Sequence, residues 1–76
     1  MAPNDDEDEE HLLFWKAVCA LRDEDTKWTS NLNNYRMATL KHRRQLIRHF
    51  KQMALLGQPT AMTVIAKMVH IRMTRK

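Results

Sequence analysis

Four basic side chains recur along one predicted helix at spacings of three, four and three residues. They are Lys41, Arg44, Arg48 and Lys51. Residues three or four apart lie on the same side of an α-helix, so these four form a stripe that is about 15 Å long at a rise of about 1.5 Å per residue. Such cations suit successive phosphates, because each contact releases condensed counterions. This basic stripe predicts a polyanionic partner, and DNA or RNA is the one we expect.

The charges of the chain are sorted into two blocks. All 9 acidic residues lie within residues 1–25, whereas residues 26–76 contain 11 Lys and Arg and no acid. A solvated helix face normally pairs its cations with Glu four residues away, and no such Glu is present around the stripe. We therefore favour polyanion binding over simple solvation. Five further cations of the same block are expected as outer contacts: Arg36, Lys67, Arg72, Arg75 and Lys76.

The elements that must carry these residues are predicted to be helices. The chain has 76 residues, one Gly, two Pro and a single Cys, which favours one small all-α domain without disulfides. The prediction is a flexible acidic head at 1–9 and a three-helix domain at 10–76. Its helices are expected at about 8–23, 33–56 and 61–73, and the long second helix carries the basic stripe.

The first predicted helix has apolar residues on most of its sides. Phe14, Val18 and Leu21 form its clearest stripe. A helix of this kind is buried on most sides, so it should lie centrally or pack against another subunit. Trp28, in the connector that follows, is expected to close the end of the core.

Glycine and threonine mark the expected join between the second and third helices. Gly57 should end the second helix in the left-handed conformation. Pro59 should prevent its continuation, and Thr60 is the expected N-cap of the third helix.

One arginine falls on the apolar side of the second helix. A buried charge needs a partner, and the acids all lie in the first third of the chain. We therefore expect Arg43 to form a buried ion pair with an acid of the first helix, in the same or another subunit.

The segment from Phe50 to Ile65 reads as a helix, a turn glycine and a second helix, and it resembles the helix-turn-helix repressors. It departs from their pattern in two places. Gln58 follows the turn glycine where an apolar residue is usual, and the pair Thr63-Val64 comes one residue late. The third helix also has few side chains that could read base edges. Binding through the phosphate backbone by the second helix is therefore the expected mode.

The sequence predicts neither catalysis nor a cofactor. The clustered carboxylates lie in the acidic head rather than in a cleft. His42 and His49 are seven residues apart, whereas helical metal pairs are usually three or four apart, so no metal site is expected. The acidic start is unlike a secretory leader, and no stretch is apolar enough for a membrane. An intracellular protein of cytoplasm or nucleus is expected.

Two classes of function remain open at this point. The first is a small regulatory or structural nucleic-acid-binding protein, whose acidic head competes with nucleic acid for the basic surface. The alternative is an adaptor or inhibitor that binds a protein partner through Met-rich apolar and charged surfaces, with the acidic head imitating nucleic acid. A homodimer is expected, because three short helices have more apolar surface than they can bury alone.

Overall fold

The structure, a computed structural model, describes the backbone of residues 5–74 and the side chains from Glu9 to Thr74. All regular secondary structure within this part of the chain is helical. This confirms the all-α class. The elements are α1 (Asp5–Glu24), a 3₁₀ turn (Thr26–Trp28), α2 (Thr29–Met37), α3 (Leu40–Leu55) and α4 (Pro59–Thr74).

Helix α1 begins at Asp5, three residues before its predicted start. Residues 5–9 of the predicted head therefore continue the helix, and residues 1–4 lie outside the described part. Acidic residues occupy the first six positions of α1, where the positive end of the helix macrodipole favours negative charge.

Helix α1 is the centre of the fold and packs against α2, α3 and α4. Its Phe14 and Val18 are only 2% and 1% exposed, as the apolar stripe predicts. Ile47 of α3 and Val64 of α4 meet them in the same core, and Trp28 closes it as expected. Each such large side chain contributes about 1.5–3 kcal/mol when fully buried.

The structure corrects the long second helix that the sequence predicted over 33–56. The chain leaves helical geometry at Ala38, which is extended at φ −79° and ψ 150°. Thr39 then starts a new helix as its N-cap, with its Oγ1 accepting a hydrogen bond from the His42 amide at 3.2 Å. The resulting corner lets the short helix α2 pack on α1 while α3 runs in another direction. The predicted count of three helices becomes four among residues 5–74.

Gly57 ends α3 in the left-handed region, at φ 85°, as predicted. The Gly57 amide donates to the Ala54 carbonyl at 3.0 Å, and the Gln58 amide donates to the Met53 carbonyl at 3.0 Å. This is a Schellman motif, which satisfies carbonyls that the end of a helix leaves unpaired.

The N-cap predicted at Thr60 is wrong. Helix α4 already begins at Pro59, a position where proline costs no hydrogen bond. The side chain of Gln58 caps the helix instead, and its Oε1 accepts from the Ala61 amide at 2.6 Å. Three residues from Leu56 to Gln58 therefore join α3 to α4.

Candidate nucleic-acid interface

Helix α3 presents the basic stripe on a support that is fixed at both ends. Thr39 caps its first turn and Gly57 its last. All four members of the stripe, Lys41, Arg44, Arg48 and Lys51, are exposed. From Lys41 to Lys51 the helix rises about 15 Å, and duplex DNA carries one charge per about 1.7 Å of axis. The stripe therefore spans about nine phosphate charges.

An acidic residue of α1 lies on this stripe. Lys51 Nζ donates a hydrogen bond to Glu10 Oε2, in an ion pair that joins α3 to the start of α1. Glu10, Arg44, Arg48 and Lys51 also line one cavity of about 290 Å³. The acidic end of α1 thus partly neutralises the C-terminal part of the stripe, on the surface where phosphate would bind.

The outer contacts that the structure describes have different surroundings. Lys67 is 27% exposed and pairs with Glu24 at 2.8 Å, so α1 already holds its charge. Arg72 and Lys51 line a second cavity, of about 400 Å³, together with Glu9 and Glu10. This places Arg72 near the C-terminal part of the stripe.

The remaining predicted contacts are Arg36, Arg75 and Lys76. Arg36 is exposed on α2, and its carbonyl accepts a hydrogen bond from another arginine. Arg75 and Lys76 lie outside the described residues.

Arg43 is half-buried, but its partners are not the predicted acid. Its Nε donates to the Tyr35 carbonyl at 3.0 Å, and its Nη2 donates to the Arg36 carbonyl at 2.9 Å. Its guanidinium also lies 5.0 Å from the centre of the Tyr35 ring. The carbonyls at the end of a helix carry partial negative charge, so the end of α2 supplies the compensation that we expected from a carboxylate.

Tyr35 is a structural residue that the sequence analysis did not single out. It is 2% exposed, its ring lies 4.8 Å from that of Phe14, and its hydroxyl is 2.8 Å from His11 Nδ1. Burial raises the pKa of the Tyr35 hydroxyl; the nearby Arg43 charge opposes this effect and the Glu10 charge adds to it. Through these contacts Tyr35 joins α1, α2 and the first turn of α3.

The exposed residues of α4 are both apolar and polar. Met62, Val69 and Met73 are its large exposed apolar side chains. Base edges are read mainly by hydrogen-bonding side chains, and α4 exposes Thr63, His70 and Arg72 as well.

No protein-family model, curated protein sequence or solved structure matches this chain. Within residues 5–74, no helix has the length and apolar character needed to cross a bilayer. Among residues 9–74, whose side chains the structure describes, no group of three or more His, Cys, Asp or Glu side chains could hold a metal ion.

Proposed function

We propose that this chain is a small nucleic-acid-binding protein that contacts the phosphate backbone through the basic stripe of α3. The observation that carries the proposal is the placement of Lys41, Arg44 and Arg48 on one exposed side of a helix with both ends capped. A rigid row of cations contributes electrostatic, sequence-independent affinity.

The acidic end of α1 acts as a competitor in this proposal. Glu10 holds Lys51 and borders the cavity that Arg44 and Arg48 line. Nucleic acid must displace or outcompete this carboxylate to use the whole stripe. The competition weakens non-specific binding, because each lost phosphate contact reduces the electrostatic affinity.

The proposal is tested by binding of the protein to a labelled random duplex and to a matched single-stranded RNA, from 50 to 200 mM salt. The test variant is Arg44→Glu/Arg48→Glu. Its matched control is Lys16→Glu/Arg22→Glu on α1, which lowers the net charge by the same four units, from +4 to zero. Losing two contacts should reduce the slope of log affinity against log salt by about 1.8 for duplex DNA.

Two results would contradict the proposal. One is no binding of either nucleic acid at 50 mM salt by the wild type. The other is an equal loss of affinity and slope in the two double variants, because net charge rather than the stripe would then explain the binding. Circular dichroism melts of both variants establish that each is folded.

A further inference from the structure

Helix α4 presents a second surface that the nucleic-acid proposal does not use. Met62, Ala66, Val69 and Met73 follow one another at spacings of four, three and four residues and lie on the same side of the helix. All four are exposed, and the three large ones are 49%, 50% and 75% exposed. We call these four residues the α4 apolar stripe. The core contacts of α4 use other positions, among them Val64.

The shape of the α4 apolar stripe fits another helix. Alternating spacings of three and four are those of the a and d positions through which two helices pack knobs into holes. From Met62 to Met73 the stripe extends over about 17 Å at about 1.5 Å per residue. Val69 also borders the cavity of about 400 Å³ whose apolar lining includes Leu13, Ile65 and Met68. A side chain from a docked helix therefore has an apolar recess beside the stripe.

The charges around the stripe select an acidic occupant. Helix α4 contains no acidic residue, and it carries Lys67 and Arg72. Among the described residues, Lys67 is held by Glu24, whereas Arg72 is exposed and has no ion pair. Glu9 and Glu10 of α1 line the cavity beside Arg72, where Glu10 is held by Lys51. A second copy of α4 would bring Arg72 against its own copy, without an acid from either α4 helix. An acidic helix would supply the opposite charge, which favours association and selects among partners.

We propose that the α4 apolar stripe is a docking site for an acidic amphipathic helix of a protein partner. The apolar side of that helix would cover Met62, Ala66, Val69 and Met73, and its flanking carboxylates would face Arg72. This site is independent of nucleic-acid binding through α3. The protein partner that the sequence left open would therefore bind at the α4 apolar stripe and would be acidic.

The test uses a labelled three-heptad peptide with Leu at the a and d positions and Glu at e and g. The repulsion between its own Glu side chains keeps this peptide from pairing with itself. Two matched peptides accompany it, one with Lys in place of the e and g Glu and one with Ser in place of the Leu. Fluorescence anisotropy of each peptide against the full chain is expected to show binding of the Leu/Glu peptide at least about tenfold tighter than of either other peptide, or about 1.4 kcal/mol.

Protein variants locate the site. Met62→Gln/Met73→Gln keeps chain length and helix propensity while it removes the apolar ends of the stripe, and it should weaken binding about tenfold. Leu55→Gln/Leu56→Gln is the matched control, because both leucines are even more exposed, at 88% and 79%, but lie outside α4. Arg72→Glu should weaken binding of the Leu/Glu peptide and strengthen binding of the Lys peptide.

Several outcomes would overturn the proposal. If the peptide with Ser in place of Leu bound as tightly as the Leu/Glu peptide, the protein would simply attract any polyanion. If the Lys peptide bound as tightly, charge would not select the partner. Retention of full affinity by Met62→Gln/Met73→Gln would place the peptide elsewhere. Self-association of the wild type in sedimentation equilibrium, abolished by that same variant, would make a second copy the occupant. Arg44→Glu/Arg48→Glu should weaken peptide binding no more than the charge-matched Lys16→Glu/Arg22→Glu, which separates failure of this site from failure of the proposed nucleic-acid surface.

Discussion

Replacing Glu10 by Gln should strengthen non-specific binding to duplex DNA and make it more dependent on salt. Glu10 forms the ion pair with Lys51 at the C-terminal end of the basic stripe. The substitution keeps the size of the side chain and removes its charge. Lys51 then becomes available to phosphate, and the stripe gains one contact.

The size of the effect follows from counting contacts. Each phosphate contact contributes about 0.9 to the slope of log affinity against log salt, so the slope should become more negative by about 0.9. Counterion release adds nothing to affinity at 1 M salt. Extrapolating a slope of about 0.9 from 1 M to 50 mM salt gives an upper limit of about 15-fold for the gain in affinity at 50 mM. The gain should shrink steadily as salt increases towards 200 mM.

The assay is fluorescence anisotropy of a labelled random duplex, titrated with each protein at several salt concentrations between 50 and 200 mM. Asp23→Asn is the matched control, because it removes one negative charge from α1 but its partner is Arg22 rather than the stripe. If Glu10→Gln and Asp23→Asn give the same slope and the same affinity, then Glu10 does not compete with nucleic acid and this part of the account is wrong.

Three further predictions concern the framework that positions the two surfaces. Arg43→Ala should lower the free energy of unfolding in urea by about 1–3 kcal/mol, because two carbonyls at the end of α2 lose charge-assisted hydrogen bonds; an unchanged urea midpoint would contradict this. Gly57→Ala should cost about 1–2 kcal/mol from backbone strain alone, since φ is 85° and no atom lies within 4 Å of an added Cβ; a thermal melt equal to that of the wild type would count against the left-handed cap. Burial raises the pKa of Tyr35 above its ordinary value of 10.0, so the unfolded chain releases this proton first and stability should fall as pH rises above about 10. Tyr35→Phe should reduce this fall in the free energy of unfolding, measured by urea titration at pH 9 to 11. An identical pH profile in the wild type and the variant would refute this prediction.

The fold class and the core could be predicted because each depends on short-range patterns. The apolar spacing of Phe14 and Val18 on α1 requires burial on one side whatever the tertiary arrangement. Gly57 was predictable as a helix end, because few other residues adopt positive φ without strain. The structure confirms both the burial of Phe14 and Val18 and the positive φ of Gly57.

The corner between α2 and α3 could not be predicted from helical periodicity alone. Apolar residues continue across it, and Ala38 is itself a good helix former. Only Thr39 signalled a helix start, and a threonine N-cap is a weak signal inside an apparently continuous pattern. The missed corner also explains why the partners of Arg43 within the chain were not predicted, because the carbonyls that hold this arginine are exposed by the end of α2.

The relation between the acidic and basic blocks needed the tertiary structure. The sequence placed all the acids in residues 1–25 but gave no position for them relative to α3. The contact of Glu10 with Lys51 arises because α1 is central and its start lies beside the C-terminal half of α3. The α4 apolar stripe has the same origin, since only the packed structure separates exposed Met73 from buried Met68.

The central claim is that α3 is the surface on which nucleic acid lies. The most direct measurement is the change in backbone amide NMR shifts of the full chain when a random duplex, or a matched RNA, is added at 50 mM salt. The account predicts shifts concentrated between Leu40 and Gln52 of α3, together with the region of α1 around Glu10, and much smaller shifts on the exposed side of α4. Shifts centred on α4 with α3 unchanged, or no shifts with either nucleic acid, would contradict it.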